Sequence, residues 1–137
     1  MGLDNGIVVE GIPKEKIDNK YVIFENELAE DFPSFHICYW RKCWNIRNLI
    51  LDCINADECE TDDYDFMLEK HELIGIIDVL AYFSELSEEE YELYYANDIW
   101  GYDIMISKTK MDIDALVWLV DLYDECPNIK VIFYDSY

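Results

Sequence analysis

PSFHICYWRKCWNIRNLILDCIN, residues 33–55, is the stretch on which the fold turns. Ser34 after Pro33 is a favourable N-cap, and Tyr39, Cys43, Ile46, Ile50 and Cys53 follow at spacings of three and four. Such spacing predicts one helix from Ser34 to about Asn55 with a single buried face and a polar edge of Arg41, Asn45, Asn48 and Asp52. Upstream, Ile7-Val8-Val9 and Tyr21-Val22-Ile23-Phe24 read as two short strands separated by the charged, turn-prone Gly11 to Lys20. Downstream, Asp57 to Asp65 reads as an exposed acidic loop, and Tyr64 to Leu68 as a short strand.

Leu73, Ile76, Ile77, Leu80 and Phe83 mark a helix over about 70–85. Ser87 followed by Glu90 is a capping-box signature and predicts a short acidic helix from Glu88 to about Ala96. Tyr102 to Lys108 alternates, with Ile104 and Ile106 on one side, and reads as a strand. Thr109 or Asp112 would then cap a helix running to about Glu125, stopped by Pro127, before a final strand over 129–134. Strands and helices mix without regular alternation. The expectation is one α+β domain over residues 1–137, with a mainly antiparallel sheet of about four to five strands packed with three to four helices.

Charge constrains function more than any motif does. The chain holds 31 Asp and Glu against 10 Lys and Arg, a net charge of −21, where a small domain usually carries a magnitude of about 2–8. Nucleic acids and anionic membranes attract basic surfaces, so direct binding to either is not expected. Hydrophobic residues make up 52% and aromatics 15% of the chain, which sets it apart from disordered acidic tails. No apolar run reaches the roughly 20 residues of a membrane span. The start, Met1 to Gly6, lacks a basic-then-apolar signal pattern, and Gly6 occupies the position where myristoylation needs Ser or Thr. Five cysteines without a C-x-x-C pair read as reduced thiols of a cytosolic protein.

No motif assigns a catalytic residue, a metal or a cofactor. A calcium loop counted from Asp57 has Cys59 third, Asp62 sixth and Leu68 twelfth, and fails at each position. His71-Glu72 opens like the zinc helix H-E-x-x-H, but Gly75 stands where the second His belongs. His36-x-Cys38 is too small to define a site. The five glycines form no phosphate-binding loop and no nucleophile elbow.

The charge reverses sign once, at Tyr39, Trp40, Arg41 and Lys42, followed by Trp44 and Arg47. A guanidinium beside an indole is a platform for an anion, a nucleobase or a carboxylate. Equally, these cations can pair internally while the indoles pack in the core. Met1-Gly2-Leu3-Asp4, Tyr39-Trp40-Arg41-Lys42 with Ile46, and the ending Phe133-Tyr134-Asp135-Ser136-Tyr137 resemble a family of small phage and prophage proteins. Members begin M-G-L-D, carry a Y-W-R-K helix and close on an aromatic strand; Asn and His often stand where this chain has Trp44 and Arg47. The resemblance implies a phage or mobile-element accessory protein in a bacterial cytoplasm, without implying an activity.

Three readings follow. The first is a non-enzymatic protein that inhibits or redirects a basic, nucleic-acid-binding or defence-related host protein, its carboxylates mimicking the charge of DNA. Asp57, Glu58, Glu60, Asp62, Asp63 and Asp65, with Glu85, Glu88, Glu89, Glu90 and Glu92, would form the contact surface, joined by the last helix with Asp112, Asp114, Asp121, Asp124 and Glu125. The second is a nucleotide-sequestering protein using Tyr39, Trp40, Arg41, Lys42, Trp44 and Arg47. The third is an enzyme with carboxylate chemistry, for which no pair can be singled out. Edge strands and a high aromatic content add the expectation of a homodimer.

Overall fold

The computed structural model describes residues 4–26, 34–41, 43–54, 63–94 and 101–136. Five strands form one antiparallel sheet: β1 (Asp4–Glu10), β2 (Phe24–Asn26), β3 (Ser34–Arg41), β4 (Asp63–Leu68) and β5 (Lys130–Ser136), in the order β2-β3-β1-β5-β4. Among the described residues four α-helices complete the α+β architecture: α1 (Trp44–Cys53), α2 (Lys70–Ser84), α3 (Glu88–Tyr94) and α4 (Tyr102–Glu125). Ile7 and Val9 of β1, Phe35 and Trp40 of β3, and Val131 and Phe133 of β5 share one buried cluster with Ile46 and Ile50 of α1, Leu73, Ile76 and Leu80 of α2, and Leu116 and Leu119 of α4. On the other face of the sheet, Val8, His36, Tyr39, Ile132 and Tyr134 are half-buried.

Residues 33–55 do not form one helix. Residues 34–41 are strand β3, and the helix begins only at Trp44, with Cys43 in the capping position. Ser34 therefore caps nothing; it pairs with Glu10 of β1 and Asn26 of β2. The expected Y-W-R-K helix is accordingly a strand as far as Arg41, while Lys42 lies outside the described residues. A bulge explains the disguise. Ile7 pairs with Cys38 and Val8 with His36, so Ile37 is an extra residue in β3. Ile37 and Cys38 are both buried, and the alternation of the strand is reset between them.

The alternation at Tyr102 to Lys108 is not a strand either. These residues are the opening turns of α4, a 24-residue helix about 36 Å long. Gly101 occupies its N-cap, and neither Thr109 nor Asp112 is a cap. The Thr109 hydroxyl instead donates to the Met105 carbonyl one turn back, at 2.6 Å. Tyr21 closes a single 3₁₀ turn, and strand pairing starts at Phe24. Asp63 to Asp65 belong to β4 rather than to a loop, and the expected loop residues 57–62 lie outside the described residues. Other expectations stand. α2 and α3 lie where hydrophobic spacing and the capping box place them, and the Ser87 amide donates to Glu90 at 3.1 Å while the Glu90 amide donates to the Ser87 hydroxyl at 3.2 Å. Residues 95 and 96, the expected end of α3, lie outside the described residues.

Two glycines mark close approaches. A Cβ on Gly6 would meet the Tyr134 ring at 2.6 Å and the Cys38 carbonyl oxygen at 2.7 Å. One on Gly75 would meet the Cys53 sulfur at 2.8 Å, so the missing histidine of the zinc motif is a contact between α2 and α1. Cys38, Cys43, Cys53 and Cys126 are free thiols. Among the described residues no helix is long and apolar enough to cross a membrane.

A buried ion pair joins α1 to the centre of the sheet. Arg47, only 1% exposed, donates through Nε and an η-nitrogen to the two oxygens of Asp135 on β5, each at 2.8 Å. Asn5, opposite Asp135 in the register, donates its side-chain amide to the same carboxylate. Arg47→Ala leaves a buried carboxylate without its guanidinium, and we expect a loss of about 3–5 kcal/mol in urea denaturation at neutral pH. The double variant Arg47→Met/Asp135→Leu should recover most of that loss, since it removes both charges; a single-variant loss below about 1 kcal/mol would contradict the assignment.

Candidate functional site

The basic–aromatic residues are divided between β3 and α1, with Lys42 outside the described residues. Tyr39 lies on the sheet face turned away from the core and donates its hydroxyl to Asp4 at 3.0 Å. Trp40 points the other way and is buried. Arg41 is exposed at the end of β3, Trp44 is exposed at the start of α1, and Arg47 is committed to Asp135, with its guanidinium 5.6 Å from the Trp44 ring centre. Strand and helix thus divide these side chains, with Tyr39 and Trp40 on opposite faces of the sheet and Trp44 beside Arg47 on α1.

Trp40 leads instead to a cleft. Its indole Nε1 donates to Asp112 on α4 at 3.0 Å, and the Lys108 ammonium donates to the same carboxylate oxygen at 2.8 Å while lying 5.1 Å from the Trp40 ring centre. Lys108 and Asp112 are one turn apart on α4, which brings them together. They line a cleft of about 610 Å³ between α4 and the segment Lys20–Ile23. Ile37 and Ala115 line it as well, and at its walls Ile23, Ile104 and Met111 are 52%, 54% and 70% exposed. A smaller recess lies beyond Tyr21, lined by Asp114, Val117, Trp118 and Asp121, with the Tyr21 ring stacked on Trp118 at 5.3 Å between centres.

The acidity is concentrated on the outside of the helices. Asp78 on α2, Glu85 after it, Glu88, Glu89, Glu90 and Glu92 on α3, and Asp103, Asp114, Asp121, Asp124 and Glu125 on α4 are all exposed. Asp112, expected on that surface, is buried and belongs to the cleft. Asp65 is exposed on β4; Asp57, Glu58, Glu60 and Asp62 lie outside the described residues. Two of the lysines on these helices are tied to carboxylates, Lys108 to Asp112 and Lys70 to Asp124 at 3.2 Å.

Comparison of the chain with protein-family models, with curated proteins and with solved structures yields no match.

Among the described residues, one group brings three potential metal ligands within reach of one another: Glu69, His71 and Glu72 at the start of α2. These carboxylates already serve the helix end, since Glu72 accepts from the Glu69 amide at 3.0 Å and Glu69 caps the first turn. Burial, helped by the charges of Glu72 and Glu69, pushes the Tyr123 hydroxyl up to about 12. On the open sheet face, His36 Nε2 and the Tyr134 hydroxyl are 3.1 Å apart; burial lowers the histidine pKa and raises that of the tyrosine.

Lys108, Ile23, Ile104 and Met111 are site residues not expected from the sequence, which points to Asp112 only as a cap or as part of the acidic surface. The signals were present: a Lys–Asp pair four apart, and Ile104, Met111 and Trp118 spaced by seven. Both signals have meaning only on a helix, and the first seven residues of α4 read as a strand.

Burial raises the Asp112 carboxyl above its ordinary 3.8, while Lys108, Trp40 and Cys38 act in the opposite direction. A carboxyl whose folded pKa exceeds its unfolded value holds its proton more tightly when folded. Its contribution to stability is complete below the ordinary value and is lost as pH rises to the raised one. Asp112→Asn removes that dependence. The stability of the native chain minus that of the variant should therefore fall as pH rises above 3.8, measured by urea denaturation at a series of pH values. A difference that grows over this range contradicts the assignment.

Proposed function

We propose that this chain is a non-enzymatic phage or mobile-element accessory protein of the bacterial cytoplasm. Its acidic helical surface binds a basic, nucleic-acid-binding host protein and competes with DNA for it. The observation that carries this reading is the excess of exposed carboxylates on the helices. Among the described residues Glu85, Glu88, Glu89, Glu90 and Glu92 of and around α3 and Asp103, Asp114, Asp121 and Glu125 of α4 face solvent beside the exposed Lys110, while Lys70 and Lys108 are engaged by Asp124 and Asp112. Such an excess of fixed negative charge offers a basic groove what a phosphate backbone offers. Origin and compartment rest on the resemblance of the M-G-L-D start and the Y-W-R-K segment to phage and prophage proteins.

Competition against labelled duplex DNA bound to purified bacterial nucleoid proteins tests the reading. The native chain should displace the duplex, and displacement should weaken steeply between about 50 and 200 mM salt. A variant carrying Glu88→Gln, Glu89→Gln and Glu92→Gln, all exposed and outside the core, should compete less well while keeping its melting temperature. Failure to displace any member of the panel, or a response flat in salt, removes the basis for mimicry.

A further inference from the structure

Of the asparagines in this chain, only Asn5 is followed by glycine. In an open chain that pair is reactive, because glycine has no Cβ to shield its own nitrogen and leaves the backbone free to turn. We propose that Asn5 is a deamidation site that folding closes, and that the product loosens the centre of the sheet, so that a chain modified while open reopens more readily.

The step is an acyl transfer within the chain. The Gly6 backbone nitrogen attacks Cγ of Asn5, a C–N bond forms, and the bond from Cγ to the side-chain nitrogen breaks. That nitrogen leaves as ammonia with the proton given up by the Gly6 amide, and a five-membered succinimide remains. Water opens the ring at one carbonyl or the other. The outcome is aspartate at position 5, or its isomer isoaspartate, in which the backbone runs through the former side chain. No oxidant or reductant takes part.

The native structure holds the reacting groups apart. Asn5 is fully buried, in the central strand, opposite Trp40 of β3 and Asp135 of β5. Strand geometry keeps ψ near about +135°, and the five-membered ring forms only when the backbone leaves that conformation. Gly6 has no room to turn: the Tyr134 ring and the Cys38 carbonyl oxygen stand 2.6 and 2.7 Å from where a Cβ would lie. Both strand pairings of β1 must open first.

The product fits the closed sheet worse than the amide does. The Asn5 side-chain nitrogen donates to the Asp135 oxygen that also accepts from Nε of Arg47. Deamidation puts an oxygen in place of that donor and sets carboxylate against carboxylate, a contact that like charge opposes. Oδ1 of Asn5 is buried and accepts no hydrogen bond among the described residues, so the new charge inherits a place without a donor. Isoaspartate lengthens the backbone of β1 by one atom and breaks its register with both neighbours.

The test incubates the full chain at mildly alkaline pH, in buffer and in unfolding urea, and follows each asparagine by peptide mass spectrometry. In urea Asn5 should react faster than Asn48 and Asn128, which are exposed but precede Leu49 and Ile129. In buffer Asn5 should react at least about tenfold more slowly than in urea, since reaction waits on opening of the central strand. Equal rates at Asn5 in the two conditions overturn the closure. The partly reacted chain is then held in urea at the native midpoint and digested briefly with a protease that cuts only open chains. Intact Asn5 should be enriched about tenfold in the survivors; no enrichment overturns the loosening. Asn5→Asp should unfold at lower urea than Asn5→Ala, although it is closer in shape, because it adds the charge as well as removing the donor. The reverse order overturns the role given to that charge.

Discussion

The pairing of Arg47 with Asp135 is the constraint around which the structure is arranged. Two charges in a protein interior are tolerated only with good geometry and satisfied hydrogen bonds, and here the guanidinium meets both carboxylate oxygens at 2.8 Å. The pair reaches from α1 to β5, and Asn5 of β1 joins it from the neighbouring strand. Shifting β5 by one residue would turn Asp135 to the opposite face and strand Arg47 in the core. Hydrophobic contacts between Ile7 and Phe133 would tolerate many apolar neighbours; the buried carboxylate tolerates one register.

Elements with an undisturbed period were legible from the residues alone. Leu73, Ile76, Leu80 and Phe83 define α2, the reciprocal bonds of Ser87 and Glu90 define the start of α3, and the β-branched and aromatic run after Ile129 defines β5. β3 was hidden because its bulge places Ile37 and Cys38 both in the core. A strand with two consecutive buried residues loses its period of two, and the residues that follow in α1 lend it an accidental period near 3.6. The start of α4 failed for a related reason. Seven residues are too few to distinguish Ile104 and Ile106 on a strand from the same residues flanking the buried Met105 on a helix.

The site followed the same logic. The unusual chemistry of Tyr39 to Arg47 was visible, but its meaning depended on a helix that does not exist. With β3 and α1 in place, Trp40 supports Asp112, Arg47 supports β5 with Trp44 beside it, and Arg41 is exposed. The internal-pairing alternative describes Trp40 and Arg47 well. The exposed residues of the α4 cleft carry no unusual chemistry of their own. Ile23, Ile104 and Met111 become notable only when folding leaves them uncovered, and no composition or motif contains that information.

The sheet order has a consequence for how the molecule is made. β1 lies at the centre, hydrogen-bonded to β5, and the Asn5–Asp135 contact spans 130 positions of sequence. No amount of local helix formation in α2 or α4 can complete that centre. On the ribosome, β1 must wait with one long edge unpaired until β5 has been synthesised and released from the exit tunnel, a long-range closure of the kind that slows folding. During that interval the −21 charge performs a service unrelated to any partner: it keeps unfinished chains apart while the strand they need is still missing.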